Sequence, residues 1–420
     1  MNTPATEGLP GAVGSRPLPR SWRAVRLSDV CEESIPTRDP RDSPTDSFRY
    51  VDITSVSNVS KRIVSPKTVL GKDAPSRARQ VIRTGDVLVA TTRPNLNAVA
   101  LVPTELDGEI ASTGFCVLRA KSGLDPRYLF GFVQMGETVR NLSELVKGAL
   151  YPAVTDAQVR AQWLPLPELS EQRRIVDVLA EQMTAVERAR AAAEAQLKAA
   201  KALPAAYLRM VFESATAQAW PRRTLAEVSE IAGGIQKSPD RVPVRLHRPY
   251  LTVRNVQRGC LDLSEVERFE VTLAEIERLR LLSGDILVVE GNGSIDQIGR
   301  NAMFVADGQE WIHQNHVIRV RLDGAAARPE FVSCFLNCDL GRAQMVKKAE
   351  TTSGLYTLSA GKVASLEVPV PSLGEQESIL SVLGERMGEV ERLIEQAGEQ
   401  LAAMDSLQAA LLRRAFSGEL

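Results

Sequence analysis

Thr91, Thr92, Arg93, Asn95 and Asn97 crowd into seven residues that follow the segment Gly85-Asp86-Val87-Leu88-Val89. Glu290, Asn292, Ser294, Gln297, Arg300 and Asn301 follow a second such segment, Gly284-Asp285-Ile286-Leu287-Val288. Arginine and small polar groups hold phosphate oxygens, and Arg, Asn, Gln, Ser and Thr can pair with base edges in a groove. The chemistry open to these loops is therefore recognition, although ordinary solvated turns have the same composition. Further side chains of this kind are Lys61, Arg62, Arg77, Arg79 and Lys147 in the first half. The second half adds Arg254, Asn255, Gln257, Arg258, His313, Gln314, Asn315, Lys347, Lys348, Thr351 and Thr352. Tyr151 and Tyr356 occupy equivalent positions, and either pack beneath the loop or approach a sugar–phosphate backbone.

Reactive chemistry has no comparable foothold. Lys237-Ser238 has Gln236 where a phosphate-binding loop requires Gly, and Gly361-Lys362 is followed by Val363 and lacks the upstream Gly. No Asn/Asp-Pro-Pro-Tyr/Phe segment of an amino-methyltransferase occurs. His313 and His316 are spaced like metal ligands but lack a matching Cys or His pair, so a polar loop is expected and no metal. Cys334 and Cys338 lie one helical turn apart beside Phe331 and Phe335, which predicts core positions.

The elements that must position the loops occur twice. Leu164-Pro165-Leu166-Pro167, Glu171-Gln172 and Ile175 return as Val368-Pro369-Val370-Pro371, Glu375-Gln376 and Ile379, at a constant offset of 204 that carries Phe212 onto Phe416. Upstream, Trp22, Tyr50-Val51 and Pro126-Arg127-Tyr128 match Trp220, Tyr250-Leu251 and Pro329-Glu330-Phe331, with an offset drifting from 198 to 203. One scaffold thus carries two different sets of loops. Short β-rich segments are predicted at 50–56, 86–90, 115–120, 250–256, 285–289 and 317–322, with helices at 126–135 and 273–282. An α+β fold is the expectation for each copy.

Each copy closes on a long helix. Ile175, Leu179, Met183, Val186, Ala193, Leu197, Ala200 and Leu203 recur at steps of three, four or seven, as do Ile379, Leu383, Met387, Val390, Ile394, Ala397, Leu401, Met404 and Leu407. That stripe predicts a coiled coil. Arg190 interrupts the first stripe where Ile394 continues the second. Ser372 and Glu375 form a candidate capping box, and Pro204 is expected to end or kink the first helix near Leu203. Residues 170–203 span about 50 Å as a helix. Homodimerisation is one use of such stripes. Two matched helices in one chain favour an intramolecular antiparallel pair with one domain at each end, a calliper of fixed gap.

Composition sets the outer limits. Net charge is −1, hydrophobic content is 44%, and no apolar run approaches a membrane span. Residues 1–167 carry 21 Lys and Arg against 17 Asp and Glu, whereas residues 372–420 carry 4 against 9. Any DNA contact must therefore gather its cations on one face, or borrow positive field from a partner. Five cysteines without a paired framework suit a reducing cytoplasm.

The duplicated Pro-x-Pro-x-x-x-Glu-Gln-x-x-Ile, the duplicated Gly-Asp-[Val/Ile]-Leu-Val and the terminal segment Leu412 to Leu420 together resemble the specificity subunits of type I restriction–modification systems. The likeness covers nearly the whole chain from about Pro17. It implies an α+β chain with two pseudo-symmetric target-recognition domains joined by two long antiparallel coiled-coil helices. The divisions expected are a flexible leader over 1–16, domains over 17–167 and 216–371, and helices over 168–215 and 372–420. It also implies that the chain reads a bipartite asymmetric site on double-stranded DNA and is not itself an enzyme. Two methyltransferase (M) subunits that methylate adenine at N6, and restriction (R) subunits, are the implied partners. S-adenosylmethionine, ATP and Mg belong on those partners, and no cofactor is expected on this chain. A methylation-only or type II-like system would use the same subunit. A coiled-coil scaffold that binds protein and no DNA is the alternative from another class.

Overall fold

The computed structural model of the chain describes residues 12–13, 16–146, 152–238, 241–291, 294–349 and 356–420. Packing divides it into two compact units, one of residues 1–194 and 399–420, the other of residues 195–398. Both divisions fall inside long helices, because each helix contributes to both units. Most of the expected leader lies outside the described residues.

In the first unit, Val87–Ala90 is the middle strand of an antiparallel three-stranded sheet, between Val99–Leu101 and Phe115–Leu118. A four-stranded sheet runs in the order Lys67–Leu70, Ser47–Val51, Ile110–Ser112, Ala78–Val81. Within it Ile110–Ser112 lies parallel to Ser47–Val51, with Ile110 opposite Tyr50. Arg23–Arg26 pairs with Trp163–Leu166 and so joins the start of the domain to its end. The second unit repeats the plan. Ile286–Val289 lies between Val317–Leu322 and Asn301–Met303, His247–Leu251 runs parallel to Ile312–His313 with Tyr250 opposite Ile312, and Arg222–Thr224 pairs with Glu367–Pro369. The class is α+β in both copies, and the strands lie within a residue or two of four of the six ranges read from the sequence; the strands expected over 50–56 and 250–256 instead end at Val51 and Leu251, and in the first copy a short helical turn, Ile53–Ser55, follows.

The recurring Gly-Asp has a structural cause. Gly85 and Gly284 sit at φ +86° and +93°, a turn conformation that costs a side-chain-bearing residue energy. The aspartates that follow are almost fully buried. Asp86 accepts two hydrogen bonds from Arg119 (2.8 and 2.7 Å) and one from the Arg83 amide; Asp285 accepts two from Arg321 (2.7 Å each) and one from the Leu282 amide. A charge this deep persists only because it is paired and hydrogen-bonded.

The central helix spans Leu169–Phe212 and the C-terminal helix Leu373–Ser417. The Gln of each Glu-Gln explains why the motif recurs: both are buried. Gln172 Oε1 accepts from the Asp125 amide (2.8 Å) while its Nε2 donates to the carbonyls of Gly123 and Pro167 (2.9 Å each). Gln376 Oε1 accepts from the Arg328 amide and its Nε2 donates to the Pro371 carbonyl, both at 2.8 Å. One side chain thereby ties the start of each long helix to the Pro-x-Pro strand and to the cap of the domain helix Pro126–Val133 or Pro329–Asn337. The Ser372–Glu375 capping box is present, with Ser372 N donating to Glu375 Oε2 at 3.1 Å.

Each long helix ends in the other copy's core. Phe416 stacks against Tyr128 and Phe132 (ring centroids 4.7 and 5.9 Å) in the first unit, beside Leu179, Leu411 and Leu412. Phe212 meets Phe331, Phe335 and Trp220 (5.3, 5.4 and 6.4 Å) in the second, beside Leu208 and Leu383. Within each unit the two helical segments therefore run antiparallel. Arg190, which breaks the first stripe, pairs with Glu194 at 3.0 Å and with Asp405 of the opposing helix. Leu407 lies on the predicted stripe yet is exposed.

The expected end of the first helix near Leu203 is corrected: the helix runs through Pro204 to Phe212. Proline there forfeits one backbone hydrogen bond. Burial of Leu208 and Phe212 in the second core, about 1.5–3 kcal/mol per side chain, outweighs it. No described helix is long and apolar enough to cross a membrane.

Candidate nucleic-acid interface

The loop after Val87–Ala90 is fastened at both ends and strained in the middle. Thr91 is buried, with its hydroxyl donating to the Gly114 carbonyl at 2.9 Å. Thr92 bridges Ala153, and the Arg93 amide donates to the Pro152 carbonyl at 2.8 Å. Pro94–Leu96 forms a short helical turn flanked by Arg93 and Asn97, both in the left-handed region at φ +50° and +47°. Lys61 (φ +54°) is the third non-glycine residue with positive φ among the described residues, and its Nζ donates to the Asn97 carbonyl at 2.6 Å. Strained backbone of this kind persists where surrounding structure over-determines it, and it clusters at functional sites. Burial pulls the Lys61 ammonium down to about 8. Arg93 and Asn95 are exposed at the tip.

The other first-domain candidates are dispersed. Arg62 is exposed and lies 4.0 Å from Glu187 on the central helix. Arg77 is exposed, whereas Arg79 is engaged with Asp39 at 3.1 Å and the Ala78 carbonyl. Lys147 and Tyr151 lie outside the described residues, as do Asn292, Thr351 and Thr352 in the second domain.

The loop after Ile286–Val289 leaves its strand in the same manner, with Gly291 bridging Thr357. Ser294 and Gln297 are exposed around the short turn Ile295–Gln297. Behind them the framework absorbs most candidates. Arg300 donates to Gln257 Oε1 (3.1 Å) and to the Val253 carbonyl (3.0 Å). Asn301 is buried, donating to the Gly299 carbonyl and accepting from Asn337 at 2.8 Å. Asn255 is buried too, its amide donating to the Asp262 and Glu265 carbonyls. Arg258 reaches the Ile298 carbonyl, and exposed Arg254 pairs with Glu265 at 2.9 Å.

His313 is corrected from a presented side chain to a core one: it is fully buried, its Nδ1 is 2.7 Å from the Val317 carbonyl, and burial lowers its pKa to about 4. His316 instead pairs with Glu290 at 2.7 Å, so the two histidines do not converge on one point. Gln314 accepts from the Val253 amide at 3.4 Å, and Asn315 lies beside His316. Lys347 and Lys348 occupy the last turn of Asp339–Ala349, with Lys347 exposed. Tyr356 packs against the second core, which favours the packing alternative for that position. Thr91, Asn255, Asn301 and His313 thus serve the scaffold, since a buried polar group must spend its hydrogen bonds internally.

Arg119 and Arg321, which hold the aspartates at the start of the loop-bearing strands, and Gln172 and Gln376, which tie the long helices to their domains, are supporting residues that residue type alone does not mark. Their recurrence at near-equal offsets was the available signal.

Residues 19–195 match the family described as type I restriction modification DNA specificity domain. The EcoKI specificity subunit of a type I restriction enzyme, from Escherichia coli (strain K12), is 24% identical over 355 residues, covering 81% of this chain and 76% of that one. The StySPI counterpart from Salmonella potsdam is 23% identical over 359 residues, with the same coverage. A chain from work on complex assembly and conformational transition of the type I R-M system superposes with a TM-score of 0.83 at 30% identity, covering 96% of this chain and 99% of that one. The HsdS subunit from Thermoanaerobacter tengcongensis gives 0.63 at 30% identity, covering 97% and 99%. With a duplicated scaffold, two polar loops and these likenesses in agreement, the chain belongs to the DNA specificity subunits of type I restriction–modification systems.

Proposed function

We propose that each domain reads one half of a bipartite, asymmetric site on duplex DNA, and that the chain docks two adenine-N6 methyltransferase subunits and restriction subunits around it. The observation that carries this reading is the equal anchoring of unlike loops. Thr92–Ala153 and Gly291–Thr357 fix the same exit in both copies, while the side chains beyond it differ. One frame with two contents suits two half-sites of different sequence. The chain contributes recognition, and bond-making falls to the partners. S-adenosylmethionine would be held by the methyltransferase subunits, and ATP and Mg by the restriction subunits, in the cytoplasm where the DNA lies.

Methylome sequencing of cells that make this chain with its methyltransferase partner tests the reading. Methylated adenines in a split motif are expected, and methylation in one contiguous motif would overturn it. Duplex binding by the assembled complex should fall steeply with salt as counterions are released. Deleting one heptad from both long helices is expected to change the spacer between half-sites.

A further inference from the structure

Lys61, Arg93 and Asn97 are the three non-glycine residues with positive φ among the described residues, and they form one cluster. Arg93 and Asn97 flank the turn Pro94–Leu96, and Lys61 reaches it from the hairpin in which Val56 faces Ile63. Left-handed backbone is costly for a residue that carries a Cβ, less so for Asn, and open to glycine.

The second copy builds two of these positions with glycine. Gly259 stands two residues before Leu261, which faces Val256, just as Lys61 stands two before Ile63. Gly299 precedes Arg300, whose carbonyl accepts from Val289 N at 2.9 Å; Asn97 precedes Ala98, whose carbonyl accepts from Ala90 N at 3.0 Å. Gly259 and Gly299 have φ +79° and +63°. Met345 leaves no room for a Cβ at Gly299, but the space at Gly259 is open. Glycine at 259 therefore answers to φ alone, and a lysine at the matching position is kept for its side chain.

That side chain is turned inward. The ammonium is partly buried and donates to the Asn97 carbonyl at 2.6 Å. Its lowered pKa has burial as its cause, with no charged neighbour contributing. Taking a charge out of water is costly unless its bonds are well made. Strain and desolvation are thus both borne for one contact. Asn97 is the residue whose amide closes the turn on the Pro94 carbonyl at 2.9 Å, so the contact falls where it fixes the turn. In the second copy backbone ties hairpin to loop, with Gly259 N donating to the Asn301 carbonyl at 2.8 Å.

We infer that Lys61 is a positioning residue for reading the first half-site: its ammonium clamps the turn Pro94–Leu96 so that Arg93 and Asn95 meet the DNA in one fixed arrangement. The inference rests on the DNA-reading role proposed above. It takes Lys61 out of the phosphate contacts expected of a lysine, because a cation engaged with a backbone carbonyl is not presented. A loop set in advance loses less freedom on binding, and groups held in place by such support discriminate where loosely held ones do not.

The test uses the full-length chain assembled with its methyltransferase partner and duplexes selected from a random pool, scored for discrimination against single mismatches in each half-site. Lys61→Met keeps the stem and loses the donor; Lys61→Gly also frees the backbone of strain and is expected to keep the wild-type unfolding midpoint. Both should lower discrimination about tenfold in the half-site that changes when residues 91–97 are replaced by those of a relative. The other half-site and the salt slope should stay at wild-type values. Lys61→Arg, which carries a donor to the same carbonyl, should retain discrimination. Unchanged discrimination in Lys61→Met and Lys61→Gly, or a loss only in variants that unfold, overturns the clamp. So does a salt slope lowered by about one unit with discrimination intact, which marks a phosphate contact, or a loss shared by both half-sites. Failure of the wild-type complex to retain any duplex overturns the DNA-reading role and the clamp together.

Discussion

The loops at 91–97 and 290–301 leave equivalent strands by equivalent bridges, and each exposes some polar side chains, yet they place their arginines in opposite ways. In the first, Arg93 and Asn95 stand exposed and make no side-chain hydrogen bond among the described residues. In the second, Arg300 and Asn301 turn inward and brace the framework against Gln257, Val253, Gly299 and Asn337. Composition marks both loops equally. Presentation separates them, because a side chain that already satisfies the protein's own carbonyls has little left for a ligand.

The largest effect that tests this contrast is a loop transplant. Replacing residues 91–97 with the corresponding segment of a relative that reads another sequence is expected to change the bases read in one half-site and leave the other as it was. Each mismatched pair costs about 1–3 kcal/mol, so a half-site of several pairs changes almost completely, and methylome sequencing shows which half moved. A change in both halves would break the correspondence of one loop to one half-site.

Next in size is a crosswise effect on stability. Phe416→Ala should cost about 3–5 kcal/mol and loosen the first domain, because the ring sits against Tyr128 and Phe132. Phe212→Ala should loosen the second through Phe331 and Phe335. Hydrogen exchange resolved by segment checks both, and softening of the domain nearer in sequence would contradict the assignment.

The architecture was legible because it was written twice. The constant offset of 204 carried Phe212 onto Phe416, and the strand positions followed from β-rich segments bounded by Gly and Asp. Two things were not legible. Pattern alone could not weigh Pro204 against the apolar residues beyond it, which are buried only because a distant core receives them. Nor could it distinguish a polar side chain that faces solvent from one that braces the fold. Asn255 and Asn301 have the same residue type as Asn95, and their partners lie in other segments of the second domain.

A third contrast lies beneath the loops. His313 occupies the register position that Ala111 fills in the first domain, and both are buried. The imidazole is neutral in the fold, with a pKa lowered to about 4 from 6.5 by burial. Between those values the unfolded chain binds a proton that the folded chain refuses, so stability falls as pH drops through this window. The loss amounts to about 3 kcal/mol at its acid end. The second domain should therefore lose exchange protection between about pH 6.5 and 4 before the first does, and His313→Phe should flatten the difference. Equal acid softening of both domains would remove the histidine as its cause.

The smallest effect discriminates most directly between the two loops. Arg93→Ala removes an exposed cation with nothing else to hold, so folding should be unchanged within about 0.5 kcal/mol. DNA binding should weaken by about 1–3 kcal/mol if Arg93 reads a base; if it holds a phosphate, the salt slope should drop by about one unit. Arg300→Ala removes a brace between two segments of the second domain, and leaves the Gln257 side chain and the Val253 carbonyl without that donor. Its cost, about 1–3 kcal/mol, should appear in denaturant unfolding of the free protein while the salt slope stays at its wild-type value. If Arg300→Ala shifted the slope and Arg93→Ala shifted only stability, the roles drawn from their burial and partners would have to be exchanged.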